Sequence, residues 1–153
     1  MISRDTNAEI AFLEEAFGAS ERPHSRFLNP DGTIGHVEVE LAGAAVLMFD
    51  SQPGWLPLPA HLRVYVDDAR ATFERAIAAG ARAVTRVTEL AFGERVARVR
   101  DPQGHLWWIH ERFETVDPDE LNRRFADPEL QRAMAYVQTS LAAELAAPTT
   151  LDE

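Results

Sequence analysis

At 153 residues, 46% hydrophobic and 26% charged, the chain has the size and apolar content of one globular domain with a real core, which excludes wholesale disorder and a collagen-like fibre. It contains no cysteine, which excludes disulfides, thiolate catalysis and Cys-ligated zinc or iron–sulfur clusters. Fifteen Lys and Arg stand against 25 Asp and Glu, a net charge of −10, so a phosphate-neutralising surface and a nucleic acid partner are not expected. No apolar run reaches the roughly 20 residues of a membrane span. Met1-Ile2-Ser3-Arg4-Asp5 lacks the character of a signal peptide, so no membrane contact and a cytoplasmic location are expected.

In chain order, the first helix is predicted over Asn7–Ala19, where Ile10, Leu13, Ala16 and Phe17 share one face and Gly18 ends it. Three strands follow at Pro23–Leu28, Thr33–Leu41 and Ala44–Asp50, divided by Asn29-Pro30-Asp31-Gly32 and Ala42-Gly43. Residues 51–59 carry three prolines and read as a linker. His61–Val66 then alternates as a strand. A second helix over Asp67–Ala81 places Ala69, Phe73, Ala76 and Ile77 on one face and stops at Gly80. Three more strands are predicted at Arg82–Val87, Arg95–Arg100 and Leu106–Glu111.

The chain therefore reads as two copies of a strand–helix–three-strand unit, residues 1–50 and 60–114, with the first strand of the first copy clipped to Met1–Arg4. The fold class is α+β: a single domain, residues 1–114, of two βαβββ modules. A helical extension over 115–147 opens at Asp117-Pro118 and again at Asp127-Pro128, each an N-cap aspartate with proline at the first helical position. Leu130, Met134, Val137, Leu141 and Leu145 form its apolar stripe, expected to pack on the parent domain rather than on a second copy. Pro148 ends the helix, and 148–153 are expected to be disordered.

Alternation assigns faces to the strands. Val37, Val39 and Leu41 point to the helices, with His36, Glu38 and Glu40 opposite. Leu62, Val64 and Val66 face away from His61, Arg63 and Tyr65, and Trp107 and Ile109 face away from Leu106, Trp108 and His110. Three histidines and two large aromatic residues on the face opposite the helices suggest a groove for a small molecule rather than a merely wetted surface. Asp67 and Asp68 sit at a helix start and read as cap and dipole charges, not as a catalytic carboxylate pair.

The duplicated unit, with Ala11–Ala19, His36-Val37-Glu38, Tyr65-Val66-Asp67-Asp68 and Phe92-Gly93-Glu94-Arg95 leading to Asp101-Pro102-Gln103-Gly104-His105-Leu106-Trp107, resembles the vicinal oxygen chelate superfamily over about residues 3–125. That superfamily includes glyoxalase I, bleomycin-resistance proteins, extradiol dioxygenases and fosfomycin-resistance enzymes. The chain looks most like its PhnB-like branch. The resemblance implies four His/Glu metal positions, two per module. Carried over, they fall in the clipped first strand, at Met48 (or Leu47 by a one-residue slip), at His61 and at Trp108. Only His61 has a metal-ligating side chain, so no cofactor is expected, the alternative being one divalent metal ion. The groove is expected to be lined by His36, Met48, His61, Arg63, Tyr65, Trp108 and His110. Met48 and Trp108 supply apolar contact, His61, Tyr65 and His110 hydrogen bonds, and Arg63 a grip on a carboxylate or phosphate. The expected function is metal-independent binding or sequestration of a drug or metabolite, the acidic composition suiting a cationic drug. The alternative is a metal-dependent lyase or dioxygenase of the glyoxalase type using His61. The resemblance also implies a homodimer, which would cover the short first strand.

Overall fold

The computed structural model describes residues 1–146, so the expected disordered tail, 148–153, lies outside the described residues. Each module builds the same sheet. In the first, β1 (Ile2–Ser3) leads through α1 (Thr6–Phe17) to β2 (Ser20–Glu21), β3 (Phe27–Leu28), β4 (Ile34–Leu41) and β5 (Ala44–Asp50). The second runs β6 (His61–Tyr65), α2 (Ala69–Ala78), β7 (Arg82–Leu90), β8 (Glu94–Arg100) and β9 (Leu106–Arg112). The strand orders are β1-β5-β4-β2 and β6-β9-β8-β7, equivalent element by element, with β3 also pairing β4. The opening strand of each module lies parallel to its last strand, as a crossover through a helix requires.

Short-range chemistry explains the boundaries. Asp5 and Asp68 cap α1 and α2, their carboxylates accepting the Ala8 and Ala71 N–H at 2.9 Å each. Gly18 ends α1 in the left-handed conformation, with φ of 68°. The expected strand at Pro23–Leu28 shrinks to β3 at its end, and a separate short strand, β2, forms before it. Proline cannot donate to a ladder at 23, and His24 takes a φ of 61° that no strand tolerates. A further duplicated device ties each helix to its sheet. Asp50, at the end of β5, accepts the Thr6 N–H at 2.8 Å, and Glu111, near the end of β9, accepts the Ala69 N–H at 2.9 Å. A carboxylate from the last strand thus holds the first N–H of each helix, where the helix dipole favours negative charge.

One apolar core joins the modules. Ile10, Leu13 and Ala16 of α1 and Ala69 and Ala76 of α2 bury against Val37, Val39, Val64, Ala97, Val99, Trp107 and Ile109. Phe17 meets Trp107 at a centroid distance of 4.9 Å, and Arg75 Nε donates to the Ala16 carbonyl at 3.2 Å, so the two helices lie side by side. The linker, 51–59, stays exposed and leaves Trp55, Leu56 and Leu58 in solvent.

The extension forms α3 (Pro118–Phe125) and α4 (Pro128–Ala146). Helix α4 packs on β7 and β8, on the face opposite α1 and α2. Val137 is buried with Leu90 and Val96, Ser140 Oγ and Thr85 Oγ1 are hydrogen-bonded at 2.8 Å, and Glu144 is ion-paired to both Arg82 and Arg100. The stripe thus packs on the parent domain through Met134 and Val137, whereas Leu145 remains exposed. No helix among the described residues is long and apolar enough to cross a membrane.

Candidate functional site

The face opposite α1 and α2 is the place to look. In the second module, parallel register sets Arg63 beside Trp108 and Tyr65 beside His110, and antiparallel register sets Arg98 beside Trp108 and Val96 beside His110. Trp108 is therefore flanked from both neighbouring strands by guanidinium groups. Arg98 lies 4.0 Å and Arg63 5.2 Å from its ring centroid. His110 stacks against Trp108, with an interplanar angle of 7°, and meets Tyr65 at 5.3 Å.

His110 is neutral by construction. Burial, above all, lowers its pKa, and the Glu94 carboxylate beside it only partly offsets this. Its Nδ1–H donates to Glu94 Oε2 at 2.9 Å, which leaves Nε2 as a buried acceptor without a partner. Burial of Glu94 opposes its ionisation, but hydrogen bonds from His110 and Arg112 outweigh it and hold that carboxyl below its usual range. Arg98 is only 4% exposed and is fixed by Thr85 Oγ1 at 3.0 Å and the Val137 carbonyl of α4 at 2.8 Å. Arg98 Nε and Trp108 Nε1 are also buried without acceptors.

Of the seven residues expected to line a groove, the structure brings Arg63, Tyr65, Trp108 and His110 together. His61 is on the same face at the exposed start of β6. His36 lies on the other sheet, beside Phe27 and 3.7 Å from Glu38. Met48 is a correction. The tight Ala42-Gly43 turn pairs Leu41 with Ala44 and hence Val37 with Met48, so Met48 shares the core face and is fully buried, while Leu47 points out and is 52% exposed. The expectation of a helix-free face is corrected too, because α4 covers its β7–β8 half. Sequence reasoning missed Arg98 and Glu94. The alternation of β8, with Ala97 and Val99 inward and Glu94, Val96, Arg98 and Arg100 opposite, carries that signal.

The metal positions implied by resemblance do not fit an ion. Leu47 and Trp108 offer no lone pair at the groove face, and Ser3 of β1 is buried, with Oγ hydrogen-bonded to His105 Nε2 at 3.2 Å. A second cluster lies on the helix side, where ligand atoms of Glu9, Asp101 and His105 are within 4.8 Å of one another, all buried. His105 Nδ1 accepts the Ala60 N–H at 3.0 Å, so its one lone pair is in use, and burial keeps the ring neutral. Asp101 already accepts from Trp107 Nε1 at 2.7 Å and from the Gln103 and His105 N–H groups at 2.9 Å each. Glu9 has no other donor to either oxygen, and burial, then the charge of Asp101 and a hydrogen bond to it, pushes its pKa up to about 9. With no ion between them, the raised pKa of Glu9 keeps it protonated beside Asp101. An apolar hollow of about 190 Å³ between α3, α4 and Ala91 contains one charged group, Arg124, which is committed to Glu114 and Glu120.

Two βαβββ modules packed through their helices define a vicinal oxygen chelate type of protein. The family model of the glyoxalase-like domain matches residues 2–110, and the chain belongs to that family. It is 31% identical to an uncharacterized protein of Mycobacterium bovis, covering 79% of this chain and 86% of that one. Among solved structures it is similar to TioX from Micromonospora sp. ML1, at 26% identity and a TM-score of 0.61, over 74% of this chain and 94% of that one. The fold is also that of the fosfomycin resistance protein FosX from Listeria monocytogenes, solved with Mn(II), at 19% identity and a TM-score of 0.55, over 72% and 86% of the two chains.

Proposed function

We propose that this protein binds a small organic molecule, a drug or a metabolite, on the groove face of its second module, and that it does so without a metal ion. The carrying observation is Trp108. It occupies the position that resemblance assigns to a metal ligand, yet it is an indole held between two guanidinium groups and stacked beside a neutral histidine. Such a strip recognises a flat organic body by stacking and directs it by hydrogen bonds to Tyr65 and His110. FosX shows that the fold accommodates drug resistance, and the segment Asp101–Trp107 supports a place in the PhnB-like branch.

The test is a fluorescence titration of candidate ligands against variants. Trp108→Ala weakens binding by about tenfold or more, whereas His61→Ala, which removes one solvent-exposed hydrogen-bonding group, changes it by less than about threefold. Equal losses at both positions contradict the proposal.

We further propose a homodimer. Phe27, Leu28 and Leu47 are large apolar side chains left exposed on the first module, and a second copy would cover them. Light scattering at micromolar concentration gives twice the chain mass; a monomer throughout that range rules the assembly out.

A further inference from the structure

From the charge balance of the same face we infer that the ligand is a small organic anion, its carboxylate or phosphate held at Arg63 in the field of Arg98. This rests on the groove reading above and names the class of molecule bound there. The chain as a whole carries −10, but this strip is locally positive. Of the charges nearby, Glu94 is balanced by Arg112 and hydrogen-bonded to His110, and Glu144 sets one negative charge against the two positive charges of Arg82 and Arg100. Among the described residues no carboxylate is within ion-pair distance of Arg63 or Arg98.

A buried guanidinium without a counter-charge is costly, and Arg98 is offset only by two neutral oxygens and an indole face. Those contacts also stop it from swinging out to water. It is therefore a fixed positive charge under a low-dielectric surface, and Arg63, exposed over the Trp108 ring, adds a second positive charge there. Two of the three unpartnered buried atoms on the strip, Arg98 Nε and Trp108 Nε1, are N–H groups that add to its positive polarity, and the third, His110 Nε2, is an acceptor. The cation expected from overall composition is thus disfavoured at the place where binding would occur, because local uncompensated charge outweighs distant screened charge.

Three probes with one ring and different charge decide the matter: benzoate, benzamide and benzamidine. Each is titrated into the intact protein while the indole N–H cross-peak of Trp108 is followed by heteronuclear NMR, with Trp55 and Trp107 as internal references. Benzoate moves the Trp108 peak saturably and binds at least about tenfold tighter than benzamide, and benzamidine leaves the peak in place. Arg63→Gln, a change at an exposed position, lowers benzoate affinity about tenfold without altering the rest of the spectrum. If benzamide or benzamidine binds at Trp108 as well as benzoate, or if Arg63→Gln leaves benzoate binding unchanged, the anion inference fails while the groove reading stands. If none of the three moves the Trp108 peak at millimolar concentration, both fail.

Discussion

Glu9→Gln makes the protein more stable at pH 8, by up to about 5 kcal/mol, while leaving its stability at pH 4 unchanged. Glu9 is fully buried on α1 beside Asp101, and its pKa is raised from 4.5 to about 9 by burial first, then by the charge of Asp101 and a hydrogen bond to it. Below pH 4.5 the carboxyl is protonated in the folded and unfolded chains alike. Between 4.5 and 9 unfolding releases a proton, so each pH unit removes up to about 1.4 kcal/mol from this group's contribution. The loss is complete above the folded pKa. Glutamine removes the titration and keeps the shape, so the difference in urea-unfolding free energy between parent and variant grows with pH. A constant difference across that window contradicts a proton held at Glu9.

Asp101→Ala is the most damaging single change expected outside the apolar core, at about 3–5 kcal/mol. One carboxylate satisfies three donors: the indole N–H of Trp107, which is buried between the sheet and α1, and two backbone N–H groups of the hairpin turn. Alanine leaves all three without a partner in a site closed to water. Asp101→Asn, which retains an acceptor, costs less. It also lowers the pKa of Glu9, since the negative charge that raises it is gone, and so flattens the pH dependence described above. Denaturant unfolding of both variants at pH 6 and pH 8 checks the magnitudes and the coupling together.

Much of this was legible in the sequence because local signals agreed with one another. The repeat, the period-2 faces of His36–Leu41 and His61–Val66, and the proline-bearing caps at Asp117 and Asp127 each correspond to an observed element. The site was legible only in part. A helical stripe says that α4 packs but not on what, and its seat on β7 and β8 depends on side chains such as Thr85, Arg98 and Arg100 far away in the chain. Resemblance places Met48 in the groove, but the two-residue turn at Ala42-Gly43, with positive φ at both positions, pins the hairpin register that turns it to the core. Arg98 was passed over because charge on a strand usually means solvent; what buries it is the helix that arrives 30 residues later in sequence, from Pro128 onward.

The central claim is that Trp108 marks a ligand site that works without a metal ion. Titrating the protein with a ligand that binds there, in parallel samples with and without excess chelator, tests it most directly. Superimposable binding curves are the predicted result. Binding that disappears with chelator and returns on adding one equivalent of a divalent cation, and that no longer returns in His61→Ala, would contradict it.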